Sequence, residues 1–267
     1  MSKGHRAISR ALLLRGAVSV AGLALATGCG NSTPVPEEQA MRLSVPAGSQ
    51  QVWCAGSGPA VVLVSGIGDE ATSAQWLEVE RALATEVRVC RYDRPGMGDS
   101  SAPATAGRGA DELDAELEVV VEHAAGDDDV VLVAHSFGGY LARVYADRHP
   151  ERISGLVFVD ALNPAVGVPR GTGASSLDAV TMSEEQLDLS DIEAAASSVV
   201  TLVSDPPLVV LTRGEGATES WKEGQEGLAA LSERSNTTVV RDVGHQIPSE
   251  APEAVVTAVE NLLQAAG

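Results

Sequence analysis

The sequence is poor in aromatic and in basic residues. Aromatic residues make up 3% of the 267 residues, so a core must be built mainly from Val, Leu and Ala. Lys and Arg number 18 against 37 Asp and Glu, a formal charge of -19, which leaves no positive surface for the phosphate backbone of a nucleic acid. Apolar residues make up 44%, which excludes a disordered or fibrous chain and suffices for one large domain or two small ones.

The first 28 residues lack acidic side chains and contain four basic ones, Lys3, Arg6, Arg10 and Arg15. The apolar run that follows, 16–28, is far shorter than the roughly 20 residues that a membrane-spanning helix needs. This combination predicts an export signal peptide over residues 1–28. Its removal leaves 14 basic against 37 acidic residues, a formal charge of -23.

The segment Leu25-Ala26-Thr27-Gly28-Cys29 resembles a bacterial lipobox, in which small residues precede a cysteine that is lipidated and becomes the new N-terminus. The resemblance implies that Cys29 anchors the protein to the cell membrane on its extracytoplasmic side. Ordinary cleaved secretion and an uncleaved anchor are the alternatives. The polar, Pro-containing stretch 31–40 predicts a flexible tether, so we expect a tether over 29–41 and the folded domain over 42–267.

The two remaining cysteines, Cys54 and Cys90, lie at the ends of strand-like runs. Outside the cytoplasm a thiol pair persists as a disulfide, and a bridge between neighbouring strands is geometrically feasible. The alternative is two buried free thiols.

Strand-like and helix-like segments alternate along the rest of the chain. Short apolar runs occur at 60–65, 87–92, 130–135, 153–159, 207–212 and 237–242. Helix-like stretches occur at about 73–85, 109–125, 137–148, 217–234 and 250–265. This alternation predicts an α/β fold with a mostly parallel sheet. Residues 161–206 contain no strand signal, and we expect a small helical cap there.

Ser136 lies between the apolar run 130–135 and a helix-like segment. A serine on so sharp a turn needs neighbours with little side-chain bulk, which Ala134 and Gly138 supply. The turn would project the Ser136 hydroxyl above the sheet edge and aim the Phe137 N–H at the same space, at a helix N-terminus where negative charge is favoured. Ser136 is therefore the predicted nucleophile; the alternative is a serine that only shapes the turn.

A serine nucleophile requires a histidine base within hydrogen-bond reach. Three of the five histidines are excluded by their positions in the signal peptide or on helices, namely His5, His123 and His149. His135 adjoins Ser136, and we expect its side chain to point away from the cleft and to have a packing role. His245 remains, in a Gly-flanked loop after the last predicted strand, and it is the predicted base.

From about residue 42 to 265 the chain resembles the α/β-hydrolase superfamily. Ser65-Gly66-Ile67-Gly68 is similar to the family's His-Gly-x-Gly oxyanion segment, with Ser in place of His, which implies that the Ile67 N–H is an oxyanion donor together with Phe137. The segment 92–100 is similar to a turn found in many members, and we expect it to shape the floor of the cleft without taking part in the chemistry. The family's strand order would place the strands of Cys54 and Cys90 side by side, which supports the disulfide.

The acid departs from the common pattern of that family. In most members it follows the strand that corresponds to 207–212, but here Ala217 occupies the expected place. The family's second location follows the preceding strand, where Asp160 lies, and the order Ser136, Asp160, His245 satisfies the family's nucleophile, acid, base sequence. Asp160 is the predicted acid, with Glu215 as the first alternative and Asp205 as another.

The resemblance implies an α/β-hydrolase fold and a serine hydrolase that cleaves a small carboxylic ester or related acyl substrate through an acyl-enzyme on Ser136. Serine rather than aspartate at this position argues against haloalkane dehalogenase and epoxide hydrolase activities. Acyl transfer, carbon-carbon bond hydrolysis, amide cleavage and perhydrolysis are alternatives on the same residues. A non-catalytic binding protein at the cell surface is an alternative of another class. Neither a metal nor a cofactor is expected, because ligand spacing and a phosphate loop are both missing from the sequence.

Overall fold

A computed structural model describes residues 36–71, 74–166 and 184–266 of the chain. The predicted signal peptide, Cys29 and the tether as far as residue 35 lie outside the described residues. So does the part of the expected cap from 167 to 183.

In the described part of the chain, eight strands form a single sheet in the order β1-β2-β4-β3-β5-β6-β7-β8. Their bounds are β1 Gln39–Val45, β2 Gly48–Ala55, β3 Ala60–Val64, β4 Arg88–Asp93, β5 Val130–His135, β6 Ile153–Val159, β7 Leu208–Arg213 and β8 Ser235–Val240. The β1–β2 and β2–β4 pairs are antiparallel and the other five pairs are parallel. The mostly parallel sheet predicted from the sequence is confirmed.

Helices cover both faces of this sheet. They are α1 Ala74–Leu83, α2 Ala110–Ala125, α3 Gly138–Arg148, α4 Leu189–Ser198, α5 Glu219–Ala229, α6 Ile247–Glu250 and α7 Pro252–Ala266. Residues of α2, α3, α4 and α5 contribute to the apolar cluster on one face, and those of α1, α6 and α7 contribute to the cluster on the other. Because β3 and β5 are covered on both sides, every residue of these strands is buried, as their unbroken apolar sequences predict.

The strand β1 was not predicted, and it begins at Gln39, inside the segment expected to be tether. Four of its first five residues are exposed, and its sequence carries no apolar run. It is held by antiparallel pairing with β2 rather than by burial. The helix α4 lies in the interval 161–206, where we expected a helical cap.

Cys54 and Cys90 form a disulfide, as predicted. They lie directly opposite each other on the antiparallel strands β2 and β4. The bond therefore links the β1–β2 hairpin covalently to the parallel part of the sheet.

Within the described ranges, no helix has the length and apolar character required to cross a membrane.

Candidate active site

Ser136 follows β5 on a sharp turn and has a positive φ of 53°, a strained conformation for a residue other than glycine. The next helix, α3, then starts at once and packs closely against the sheet. A Cβ at Gly138 would lie 2.4 Å from the carbonyl oxygen of Val64, and one at Gly139 would lie 2.6 Å from the Cβ of Ala161. Glycine is therefore required at both positions to keep the turn this tight.

His245 lies in the loop between β8 and α6, and its Nε2 is 3.0 Å from the Ser136 Oγ. His135 anchors this loop, because its Nε2 donates a hydrogen bond to the His245 carbonyl oxygen at 2.9 Å. The Gln75 amide donates to the His135 Nδ1 at 2.7 Å, so the two hydrogen bonds place the His135 ring proton on Nε2. His135 is fully buried, as its predicted packing role requires, and it also holds the backbone of His245.

Asp160 follows β6 and is completely buried, with a φ of 42°. Its Oδ2 accepts a hydrogen bond from the His245 Nδ1 at 2.6 Å and another from the Arg213 side chain at 3.0 Å. Its Oδ1 accepts from the Trp221 indole N–H at 2.7 Å and from the Arg213 backbone N–H at 3.1 Å. The buried carboxylate thus accepts four hydrogen bonds, which hold its orientation toward His245.

The two alternative acids lie elsewhere. Glu215 is exposed, and its backbone N–H donates to the Val243 carbonyl. The His245 Nδ1 is hydrogen-bonded to Asp160 and not to Glu215. Asp205 precedes β7 and so lies at the opposite end of the strand from the active-site edge. Hydrogen bonds from the Ser232 hydroxyl and the Glu233 backbone N–H lower the pKa of Asp205, which gives it a local structural role.

The two proposed oxyanion donors are available for a ligand. Among the described residues, neither the Ile67 N–H nor the Phe137 N–H donates a hydrogen bond. Phe137 is the N-cap of α3, so its N–H belongs to the positive end of that helix.

Two residues of the site were not found by sequence reasoning. The Trp221 ring meets the His245 ring edge-on at 5.9 Å, and the Arg213 guanidinium lies 4.2 Å from the centre of the Trp221 ring. Trp221 lies on α5 and Arg213 at the end of β7, and neither is part of a recognisable motif. Only the tertiary packing brings them to Asp160.

Ser136, Asp160 and His245 therefore meet at the carboxyl edge of the parallel sheet, where α/β folds place their ligand sites. Across the described ranges, no three or more His, Cys, Asp or Glu side chains are grouped so that they could hold a metal ion.

Comparison with known proteins shows which fold this architecture shares. Residues 59–181 match the family model of the alpha/beta hydrolase fold. The uncharacterized protein YqjL of Bacillus subtilis (strain 168) is 25% identical over 222 residues, which are 79% of this chain and 85% of that protein. The chain spans 35% or less of the length of several other curated relatives.

Two solved structures extend the comparison. A thermophilic esterase from Thermogutta terrifontis is 22% identical with a TM-score of 0.64, over 85% of this chain and 99% of that chain. The carboxylesterase CesB from Bacillus subtilis is 16% identical with a TM-score of 0.65, over 85% of this chain and 92% of that chain. The chain thus has the α/β-hydrolase fold, and its candidate active site is of the Ser-His-Asp type.

Proposed function

We propose that the protein is a serine hydrolase that cleaves small carboxylic esters through an acyl-enzyme on Ser136. The observation that carries this proposal is the continuous hydrogen-bond chain from Asp160 through His245 to Ser136. A hydroxyl is a weak nucleophile by itself, and this arrangement is the one that activates it. The esterases among the structural neighbours have the same fold and are consistent with the proposal.

The proposed mechanism gives each group of the site a defined role. The Ser136 Oγ attacks the carbonyl carbon while the His245 Nε2 takes its proton, and Asp160 stabilises the imidazolium and holds its tautomer. The oxyanion forms next to the Ile67 and Phe137 N–H groups. Collapse of this intermediate expels the alcohol, which receives the proton from His245. A water molecule, deprotonated by His245, then attacks the acyl carbon. The second intermediate breaks its bond to the Ser136 Oγ, which takes the proton from His245, and the carboxylic acid is released.

A fluorophosphonate probe tests this proposal directly, because it phosphonylates only an activated serine. We expect the folded wild-type protein to be labelled on Ser136 and the Ser136→Ala variant to remain unlabelled, as measured by intact-protein and peptide mass spectrometry. The exposed Ser249 supplies the control, since Ser249→Ala should be labelled like the wild type. Absence of labelling in the wild type, or labelling that survives Ser136→Ala, would favour the non-catalytic binding protein instead. A series of p-nitrophenyl esters then ranks the acyl chain lengths.

We also propose that the protein is exported and anchored in the membrane through a lipid on Cys29. The basic and apolar pattern of residues 1–28 supports export, and so does the Cys54–Cys90 disulfide, because such bonds persist in oxidising compartments. The seven residues after Cys29 include polar and Pro residues and would hold the domain away from the membrane surface.

Expression of the full chain in a bacterium checks the anchor. Wild-type protein is expected in the membrane fraction with a diacylglyceryl mass on its N-terminal cysteine, whereas Cys29→Ser should carry no lipid and leave that fraction. An unmodified N-terminus on processed wild-type protein would show ordinary secretion, and an intact residue 1–28 segment would show an uncleaved anchor.

A further inference from the structure

A buried ion pair lies directly behind the oxyanion loop, which we define as Ser65–Gly68. The Arg94 guanidinium binds the Glu185 carboxylate with two hydrogen bonds, of 2.6 Å from Nε to Oε2 and 3.0 Å from Nη2 to Oε1. The side chains are 3% and 0% exposed. Burial by itself lowers the pKa of Arg94, but the charge of Glu185 and its hydrogen bond, together with Tyr92 and Asp69, hold the pKa above its usual value.

The pair contacts the loop on both sides of Ile67. Arg94 donates to the Ser65 carbonyl at 2.9 Å and to the Gly66 carbonyl at 2.7 Å. Glu185 accepts the Gly68 N–H at 3.2 Å. The three hydrogen bonds leave the peptide groups that flank Ile67 little freedom to rotate.

The bond to the Gly66 carbonyl has a specific consequence for the Ile67 N–H. Both groups belong to the same planar trans peptide, so they point in opposite directions. A guanidinium that holds the carbonyl on one side therefore aims the N–H toward the other side. Because the donor is charged, it also polarises the peptide and makes the N–H a stronger donor.

Arg94 also contacts the other half of the proposed oxyanion hole. Its guanidinium carbon lies 5.6 Å from the centre of the Phe137 ring, in the range of a cation–π contact. One buried side chain thus binds the peptide group that carries the Ile67 N–H and lies near the ring of Phe137, the residue of the other proposed donor.

Glu185 itself is held in place by residues from other parts of the same chain. Its carbonyl oxygen accepts a hydrogen bond from Arg108, which is paired with the buried Glu116. The segment passes so close to the turn 92–100 that a Cβ at Gly96 would lie 2.2 Å from the Glu184 carbonyl oxygen. Glu185, which lies in the interval expected to be a cap, is therefore fixed on one side by Arg108 and contacts the oxyanion loop on the other.

We propose that Arg94 and Glu185 are positioning residues that orient and polarise the Ile67 N–H for oxyanion stabilisation. This inference rests on the proposed serine hydrolase function. It also gives a role in catalysis to the turn 92–100, for which the sequence indicated only a structural one.

The test compares two buried ion pairs in the purified full-length protein. Arg94→Met/Glu185→Gln removes both charges of the proposed pair, so that neither is left unpaired in the interior. Arg91→Met/Glu80→Gln removes both charges of a pair of similar burial, in which Arg91 also binds the exposed Glu38; the contacts of this pair do not include the oxyanion loop. Thermal unfolding shows whether each variant is folded, and a p-nitrophenyl ester measures its turnover. A trifluoromethyl ketone, whose adduct places an oxyanion in the hole, measures its affinity for the transition state.

We expect the Arg94 variant to lose about 10- to 100-fold in kcat at a KM within about twofold of the wild type, and to bind the ketone more weakly by a similar factor. The Arg91 variant should keep kcat and ketone affinity within about twofold, even where its thermal stability falls equally. Arg94→Lys keeps the charge but cannot make all four bonds, so an intermediate loss is expected. If the double variant does not fold, Arg94→Lys is measured in its place.

Equal effects of the two folded pairs on kcat, or a change in KM alone, would overturn the positioning role while leaving the serine hydrolase intact. A wild-type protein that hydrolyses no ester and takes no fluorophosphonate would overturn the proposed function, and this inference with it.

Discussion

Asp160→Asn is expected to lower kcat by about 10⁴-fold, which is the loss typical of a triad whose acid is replaced by its amide. Each Asp160 oxygen accepts two hydrogen bonds, so either orientation of an amide turns its NH₂ group toward donors. The indole N–H of Trp221 and the backbone N–H of Arg213, which bind Oδ1, cannot become acceptors.

The amide NH₂ will therefore face His245 on the Oδ2 side. Only His245 can adapt, by moving its proton from Nδ1 to Nε2. In that tautomer Nε2 no longer accepts the Ser136 hydroxyl proton, so the base is lost although the geometry survives. The affinity for substrate should change little, because Asp160 is fully buried and does not line the substrate cleft.

Glu215→Gln is the matched control, since it makes the same chemical change in the alternative acid on an exposed loop. We expect it to keep kcat within about twofold of the wild type, as is usual for surface substitutions away from a site. Initial rates with a p-nitrophenyl ester, together with far-UV circular dichroism of both variants, check the pair. Wild-type turnover in Asp160→Asn together with a loss of several orders of magnitude in Glu215→Gln would move the acid to Glu215.

The residues that the sequence identified are those whose role depends on local geometry. Ser136 was found because a buried strand, a tight turn and a helix follow one another within a few residues. His245 was found by elimination among five histidines, and Asp160 because it occupies the second location that the α/β-hydrolase resemblance gives to the acid, directly after a strand. Parallel strands share one carboxyl edge, so their end residues converge without knowledge of the packing between helices.

The residues that were missed depend on contacts between distant parts of the chain. Trp221 reaches Asp160 from 61 positions away, and Glu185 reaches Arg94 from 91 positions away. In the sequence, Glu185 looks like any member of an acidic, solvated stretch. It is buried only because Arg94 and Arg108 meet it in the fold, which composition and periodicity do not reveal.

The strand β1 was missed for a related reason. A strand that is exposed at the edge of a sheet needs no apolar alternation, and pairing alone can hold it. Its neighbour β2 binds the rest of the sheet only through β4, so the β1–β2 hairpin is the part of the sheet with the least support from parallel neighbours.

Loss of the disulfide that ties this hairpin is expected to lower the free energy of unfolding by about 4 kcal/mol, the chain-entropy value for a loop of this length. The two cysteines are 36 positions apart, so their bond removes many conformations from the unfolded chain. Since domains are stable by only about 5–15 kcal/mol, this is a large share of the total. The double variant Cys54→Ala/Cys90→Ala shows the effect in chemical denaturation, with the wild type measured with and without reductant.

The loss should fall on stability and not on the proposed chemistry. Cys54 and Cys90 lie on β2 and β4, whereas Ser136, Asp160 and His245 follow β5, β6 and β8, so the folded double variant should keep its kcat within about twofold. Hydrogen exchange should increase first in the β1–β2 hairpin, because that hairpin loses its covalent link to β4. A variant as stable as the wild type would show that strand pairing alone holds the hairpin.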